Sequence, residues 1–284
     1  MRLTRYDDAR SFLARAGEFL SAREAEHNLI LGLSSRLLRD PVMYGEPVYF
    51  AVADDGETVV GAAMRTPPHN LILSKIDADA AVGMFVDDAK AQFGSLPGVV
   101  GPRERALQFA NAWRAATGAT PRLEIAQRIF AAERVEPPRG TPGRMRDYEP
   151  ADRELAIRWM DEFVAEALPD AAPQPEPSSD FVDQRAEDPD GGLVLWDDDG
   201  AVSMAGYGGL TPNGIRIGPV YTPPDLRGRG YGSVLTAELT QRLLDGGRRF
   251  CFLFTDLANP TSNSIYQRIG YRPVSDVDLW TFSA

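Results

Sequence analysis

The 284-residue sequence has one cysteine and two histidines. A single thiol excludes an internal disulfide, and so few imidazoles and thiols leave little for a His/Cys metal site. Long apolar runs are missing too. The densest, Phe250–Phe254, falls far short of the ~18 residues a membrane span needs. The N-terminal stretch breaks its apolar residues with charges every few positions, unlike a signal peptide. Basic residues are in deficit, 30 Lys+Arg against 41 Asp+Glu, for a net charge of −11. Such a surface repels nucleic-acid phosphate and anionic lipid, which argues against both as partners. These shortages predict a soluble, cytoplasmic, metal-free protein.

What is present reads as globular. Hydrophobic residues make up 43% and charged residues 25%, and the length suggests two domains with real cores. The acidity is uneven. Residues 1–140 carry 17 basic and 18 acidic side chains, whereas residues 141–284 carry 13 and 23. Between Asp161 and Asp199 stand thirteen acids and one base, Arg185. That stretch could attract a cationic substrate, or serve only as a solvated acidic loop.

Along the first half, Asp7–Leu20 and Ala22–Leu38 have helical apolar spacing. Val48–Ala53 and Thr58–Met64 read as strands joined at Asp54-Asp55-Gly56. Ala78–Phe93 and Glu104–Thr117 read as helices, with Gly98–Gly101 and Arg122–Phe130 as strands. Three prolines and two glycines between Pro137 and Gly143 mark a linker, which places domains at 1–140 and 141–284. After Met145–Asp147, a possible short strand, Glu154–Glu166 is helical through Leu155, Trp159 and Phe163. Residues 169–190, with five prolines and many acids, read as a loop. Strands at Leu193–Trp196, Val202–Gly206 and Ile215–Thr222 precede a helix at Tyr231–Asp245. Phe250–Thr255 has the two-sided apolarity of a buried parallel strand. Pro260–Ile269 is a short helix with Asn259 at its N-cap, and Val277–Phe282 closes the sheet. The resulting class is α/β, a mixed sheet flanked by helices.

The sharpest local feature is Arg227-Gly228-Arg229-Gly230-Tyr231-Gly232, between a strand and a helix. Glycines there let backbone N–H groups approach a ligand, and a helix N-terminus favours negative charge, as in a pyrophosphate cradle. Neither the P-loop nor the Rossmann spacing is present. The spacing R-x-x-G-x-G after Val220-Tyr221-Thr222 resembles the acyl-CoA signature of the GNAT superfamily of N-acetyltransferases. Downstream, Asp256-x-x-Asn259-x-x-Ser262-x-x-Ile265-Tyr266-x-x-x-Gly270-Tyr271 resembles that superfamily's second signature, one helix and one strand away. The resemblance covers roughly residues 145–284. It implies two GNAT-like domains of mostly antiparallel sheet, acetyl-CoA as co-substrate and no metal.

The roles that follow from the resemblance are specific. Val220, Tyr221 and Thr222 would form the strand that pairs with pantetheine. Arg227, Gly228, Arg229, Gly230, Tyr231, Gly232 and Ser233 would wrap the pyrophosphate. Asn259, Ser262 and Asn263 would contact the cofactor from across the cleft, and Tyr266 would stand beside the sulfur. A phenol there suits thiolate departure, by hydrogen bonding more than by full proton transfer. For the base, Glu162 and Glu166 share a helix face at i,i+4, ahead of Ser203, Tyr207 and the terminal carboxylate of Ala284. His27 and His69 read as structural or exposed, and Cys251 as a buried structural thiol.

The first half lacks both signatures and reads as a degenerate copy, as in bacterial two-domain acetyltransferases. Val99–Glu104 falls where its cofactor turn would be, and Asn28 and His69-Asn70 could line an acceptor wall. The expected activity is acetyl transfer to a primary amine of a small or peptidic, cationic acceptor. A non-catalytic acyl-CoA sensor and a tRNA-dependent aminoacyl transferase are alternatives, and a homodimer is left open.

Overall fold

The computed structural model describes residues 1–45, 47–167 and 177–283. The chain forms two compact units, Met1–Arg128 with Ser275–Ala284, and Ile129–Val274. These bounds differ from the division at residue 140 that the proline-rich segment suggests. Pro137–Gly143 lies inside the second unit, where the Trp196 indole donates to the Pro142 carbonyl at 2.7 Å.

Unit one runs β1 (Arg2–Tyr6), α1 (Ala9–Ser21), α2 (Asn28–Arg39), β2 (Tyr49–Asp54), β3 (Val59–Arg65) and β4 (Leu71–Leu73). It continues through α3 (Asp79–Phe93), β5 (Gly98–Pro102) and α4 (Arg103–Thr117) into β6 (Thr120–Ala132), whose last residues belong to unit two. Unit two runs β7 (Arg144–Asp147), α5 (Arg153–Ala167), α6 (Ser178–Glu187), β8 (Gly192–Asp197), β9 (Ala201–Gly208) and β10 (Gly214–Tyr221). There follow α7 (Tyr231–Asp245), β11 (Phe250–Asp256), α8 (Pro260–Arg268) and β12 (Arg272–Ser283), whose end belongs to unit one. Both halves of the chain thus follow one order: a strand, two helices, three strands, a helix, a strand, a helix and a strand.

Strand pairing repeats as well. β1 to β4 are joined antiparallel in sequence, and β4 pairs with β5 in parallel. β7 to β10 are likewise antiparallel, and β10 pairs with β11 in parallel. In unit one β12 lies antiparallel to β5, with Val277 opposite Pro102 and Thr281 opposite Gly98. In unit two the end of β6 lies next to β11. Each unit is therefore a mixed, mostly antiparallel sheet, as the α/β expectation had it.

Period-2 alternation explains why the central strands are buried on both faces. Tyr49, Ala51 and Ala53 of β2 pack with Phe85 of α3 and Phe109 and Trp113 of α4. The intervening Phe50 and Val52 pack with Phe12, Ala16 and Leu20 of α1 and Ile30 of α2. In unit two, Val194 and Trp196 of β8 meet Leu235 and Leu239 of α7, while Leu193 and Leu195 meet Trp159 of α5 and Val182 of α6.

Most expected elements are present within a residue or two, but four expectations differ. Residues 169–190 are not loop throughout, since α6 occupies Ser178–Glu187 and buries Val182 and Arg185. Its apolar stripe is only Phe181 and Val182, with the Arg185 guanidinium 5.2 Å over the Phe181 ring, so its period is hard to see among acids. Residues 168–176 lie outside the described residues. The expected helix at Ala22–Leu38 begins only at Asn28, because buried His27 sits in a turn. Its Nδ1 is 2.9 Å from the Leu20 carbonyl, and its Nε2 accepts the Lys75 amide at 3.0 Å. Burial accordingly lowers the His27 pKa and favours the neutral ring. β1 and the three-residue β4 were too short or too polar to stand out.

The end of β12 is tied into unit one by charge. Asp276 accepts from Arg128 at 2.6 and 3.0 Å and meets Arg103 at 3.1 Å, while Arg103 also donates to buried Asp278 at 3.2 Å. The Arg128 bond holds the Asp276 carboxyl below the usual carboxylate range. A depressed carboxyl stabilises the fold above its unfolded pKa of ~3.9, and that contribution disappears as pH falls through the folded value. Asp276→Asn is therefore expected to lower unfolding stability by about 1 kcal/mol at pH 7, with the difference from wild type shrinking below about pH 4. Urea titrations at pH 7 and pH 3 check this; an equal loss at both would show that the charge is not responsible.

Candidate active site

The site is built where two parallel strands part. β10 and β11 pair over Gly214–Arg216 and Phe250–Phe252, after which the pairing stops although both strands continue. On its other side β10 bulges against β9. Ile217 faces Tyr207 and Val220 faces Ala205, so Gly218 and Pro219 are looped out. Gly218 has φ +145°, which favours glycine, and Pro219 has no N–H to offer a neighbour. The bulge redirects the strand and leaves the backbone of its last residues without a ladder partner on the β11 side.

Alternation then sorts the side chains of β10. Val220 and Thr222 face the start of α7, since a Cβ on Gly232 would lie 3.8 Å from Val220 Cγ1 and 3.2 Å from Thr222 Oγ1. Tyr221 points the opposite way, to α5, and is buried there. Its hydroxyl donates to Glu162 at 2.9 Å and lies 3.4 Å from Glu166. Desolvation, reinforced by the Glu162 bond, pushes its pKa up to about 12. Buried Ser203 braces the strand end, donating to the Tyr221 carbonyl at 2.8 Å and bonding Thr222 Oγ1 at 2.9 Å. That leaves Ser203 structural. Tyr207 of β9, opposite Ile217, lies beneath the Arg242 guanidinium at 5.6 Å.

Beyond a 3-10 turn at Pro224–Leu226, the chain enters α7 through Gly228 (φ +78°) and Gly230 (φ +88°). Both conformations are left-handed, and a Cβ on Gly230 would come 2.9 Å from Thr141 Oγ1. Gly230 is the N-cap and has no side chain with which to bond the first amides of the helix. The first intrahelical acceptor is used by Val234 on Gly230, which leaves the Tyr231, Gly232 and Ser233 amides directed along the helix axis. A helix N-terminus with free amides behind alternating left-handed glycines is an anion cradle. Tyr231 itself is buried, its hydroxyl 2.5 Å from Asp198.

The two arginines of the cradle do different things. Arg229 is exposed, donates to the Asp225 carbonyl at 3.4 Å and also interacts with the Tyr231 hydroxyl. Arg227 turns to α5, where one amino group contacts both Glu166 oxygens at 2.8 and 2.7 Å, and its Nε donates to the Thr222 carbonyl at 2.8 Å. The sequence-picked Glu162, Glu166, Tyr221 and Arg227 are thus in one cluster. The expected carboxylate bases are already hydrogen-bonded, and the expected phosphate ligand Arg227 is ion-paired.

On the other side of the parting, α8 carries the second motif. Asn259 accepts the Ser262 amide at 3.0 Å and so caps the helix. Asn263 donates to the Asp256 and Asn259 carbonyls at 2.9 and 2.8 Å and accepts from Thr255 at 2.5 Å. These amide side chains brace the turn that aims α8; the Asn259 cap was expected, and the bracing by Asn263 was not. Tyr266 and Tyr271 meet edge-on, 6.0 Å between ring centres. The Tyr271 hydroxyl is buried and paired with Thr240 at 2.7 Å. The half-buried Tyr266 has no hydrogen bond to its phenol among the described residues, and desolvation alone pushes its pKa up to about 12. Cys251 is buried, its thiol also pushed up to about 12 by desolvation, which suits no nucleophile. The terminal carboxylate of Ala284 lies outside the described residues.

Much of the acidic stretch is paired. Asp183 takes two bonds from Arg153 at 2.7 and 2.6 Å, and Asp197 meets Arg146 at 3.1 Å. Among the described residues, no cluster of His, Cys, Asp and Glu could hold a metal ion, and no helix is long and apolar enough to cross a membrane.

In unit one β4 ends at Leu73, one residue after its pairing with β5, and the turn that follows is bonded within the unit. Ser74 donates its amide to Ala62, Lys75 to His27, and Asp77 to the Val60 carbonyl at 2.7 Å. No glycine occurs between Ser74 and Ala78. This turn, between a strand with a parallel neighbour and the following helix, is the counterpart of the glycine-containing turn that leads into α7. Val99–Glu104, expected at that place, instead joins β5 to α4 and corresponds to the turn from β11 to α8. Nothing in the contacts of Asn28, His69 or Asn70 marks them as an acceptor wall.

Comparisons with known proteins agree with this geometry. The model of the Acetyltransferase (GNAT) family matches residues 157–271. No curated protein matches the chain. Among solved structures, a GCN5-related N-acetyltransferase from Sphaerobacter thermophilus is 19% identical, with 98% of this chain and 94% of that one covered and a TM-score of 0.60. A tandem GNAT protein of the clavulanic acid biosynthesis pathway is 13% identical over 99% and 98% of the chains, TM-score 0.56. A Drosophila protein is 12% identical over 99% and 98%, TM-score 0.69. The parted strands, the glycine cradle and Tyr266 all fall within the segment that the Acetyltransferase (GNAT) family model matches, and the solved structures share the fold.

Proposed function

We propose that this protein transfers an acetyl group from acetyl-CoA directly to a primary amine of a small or peptidic, cationic acceptor. The observation that carries the reading is the pairing of an open amide cradle at α7 with an unpaired, desolvated phenol on α8, on either side of parted strands. The cradle fits a pyrophosphate: its amides are free, Gly228 and Gly230 hold it open, and even a methyl group at Gly230 would crowd Thr141. The backbone of β10 beyond Arg216, without a ladder partner on its β11 side, offers groups to a pantetheine arm and donors to a developing oxyanion, a contribution typically worth a few kcal/mol. Acetyl-CoA supplies the acyl group and leaves as a thiolate.

Tyr266 stabilises that thiolate as a hydrogen-bond donor. With the phenol at about 12 and a free thiol near ~8.5, full proton transfer is uphill by roughly 5 kcal/mol. The acceptor ammonium, with a pKa near ~10.4, must lose a proton before attack. Glu162 and Glu166 are the nearest carboxylates to receive it, through water. The buried Cys251 has no part in transfer. On this reading unit one is a copy of the same fold without a cofactor site, its turn into α3 having no glycine between Ser74 and Ala78. The excess of acids in the second half supports a cationic acceptor, and the chain works in the cytoplasm without nucleic acid or membrane.

The direct test is calorimetric titration with acetyl-CoA followed by turnover on a panel of cationic, neutral and acidic amines at low salt. Tight binding with turnover highest on cationic amines is expected. Absence of binding overturns the reading, binding without turnover on any amine reduces the protein to a sensor, and preference for acidic amines removes the acceptor assignment.

Tyr266→Phe is expected to lower kcat by about 100-fold, the usual cost of removing one preorganised donor to a developing negative charge, with acetyl-CoA affinity little changed. Because the phenol stays protonated to about pH 12, both enzymes should keep rising in rate up to pH 10, with the same shape. An alkaline fall that vanishes in the variant would show that Tyr266 titrates in the working range. Gly230→Ala should weaken acetyl-CoA binding, since a left-handed non-glycine residue costs roughly 1–2 kcal/mol and its methyl would press on Thr141. Calorimetry and a thermal melt check both effects, and wild-type affinity in this variant would place the phosphates elsewhere.

A further inference from the structure

Arg227 belongs by sequence to the phosphate cradle, yet its guanidinium is held by Glu166 on α5 at 2.7 and 2.8 Å. Three further contacts make this a built arrangement. Arg227 Nε is fixed on the Thr222 carbonyl, its guanidinium lies 5.7 Å over the Tyr221 ring, and the Tyr221 hydroxyl bonds Glu162 one helical turn before Glu166. Both members of the ion pair are 46% exposed, so water can compete for them and their exchange with another ligand is cheap. The cluster holds two carboxylates and one guanidinium, Glu162 joining it through the Tyr221 hydroxyl, and so keeps a negative charge beside the cradle that is to receive an anion.

We infer that Glu166 is an internal competitor for the cofactor's phosphate: Arg227 exchanges the Glu166 carboxylate for a phosphate oxygen when the cradle fills. The inference rests on acetyl-CoA being the ligand of the cradle. The exchange keeps the arginine charge satisfied in both states, so it needs no bare guanidinium at any stage. It also changes what the α5 carboxylates can do. While the cradle is empty Glu166 is neutralised by Arg227. Once Arg227 leaves, Glu162 and Glu166 stand four residues apart with only the Tyr221 phenol between them, and their charge becomes available to an ammonium. Filling the phosphate site therefore strengthens the attraction for a cationic acceptor, and by linkage a cationic acceptor strengthens cofactor binding to the same extent.

The test compares CoA with S-acetylpantetheine, which lacks the pyrophosphate, on wild type, Glu166→Gln and Glu162→Gln, by calorimetry with a thermal melt to confirm folding. Removal of the competitor's charge should tighten CoA binding to Glu166→Gln by about two- to fivefold, the range of an ion pair of this exposure, and leave S-acetylpantetheine unchanged. Glu162→Gln, which keeps the Arg227–Glu166 pair, should bind CoA like wild type. Unchanged or weaker CoA binding in Glu166→Gln overturns the inference, and so does equal tightening of both ligands. Failure of wild type to bind CoA at all overturns the acetyl-CoA reading instead.

Discussion

The site depends on one constraint, the inability of β10 to stay in register with both of its neighbours beyond Ile217. β9 holds it through a bulge at Gly218-Pro219, and β11 loses it after Arg216. A strand interior normally satisfies every amide, so an unladdered stretch in the middle of a protein demands another partner. Here the same step creates the need and the room, because the strands that stop pairing also diverge. Everything else is arranged around that opening. The turn after β10 supplies free amides, the turn after β11 is braced by Asn259 and Asn263, and α8 then holds Tyr266 on the far side.

Repetition of the fold makes the point sharper. Both halves of the chain follow one element order and one pairing pattern, so the scaffold alone does not make a site. The difference is in the fate of a few amides. After β10 the chain takes left-handed turns through Gly228 and Gly230, conformations open to glycine, and the amides behind them stay free. After β4 the corresponding residues are Ser74-Lys75-Ile76-Asp77, and their amides are bonded by Ala62, His27 and Val60. His27 is the instructive case. It is one of only two histidines, it is buried with its pKa lowered, and its Nε2 accepts the Lys75 amide in the turn that leads to α3.

How much of this was legible in the sequence depended on length scale. The glycine cradle, the Asn259 cap that opens α8 and Tyr266 could be placed because each is a local pattern with a fixed spacing, and the helices α3, α5 and α7 because their apolar residues recur at helical spacing. Long-range decisions were hidden. Nothing local shows that Pro137–Gly143 is pinned by Trp196, that α2 starts late because His27 bonds Lys75 forty-eight residues away, or that the ends of β6 and β12 belong to the unit other than their neighbours in sequence. α6 was missed for a different reason. Its burial rests on Val182 and on an arginine stem, and no hydrophobic period detects a buried arginine.

The same limit applies to side chains at the site. Sequence spacing set Arg227 in a phosphate cradle and Glu166 on a helix face as separate features, because i,i+4 and motif rules see only one element at a time. Alternation along β10 is what unites them. Since Val220 and Thr222 face α7, Tyr221 must face α5, and its phenol then meets Glu162 while its ring supports Arg227. The tyrosine between two cofactor-side residues thereby connects the cradle to the helix that carries the carboxylates. A side chain chosen only for backbone continuity in the motif is, in three dimensions, the link between the place where an anion would bind and the place where a cation would.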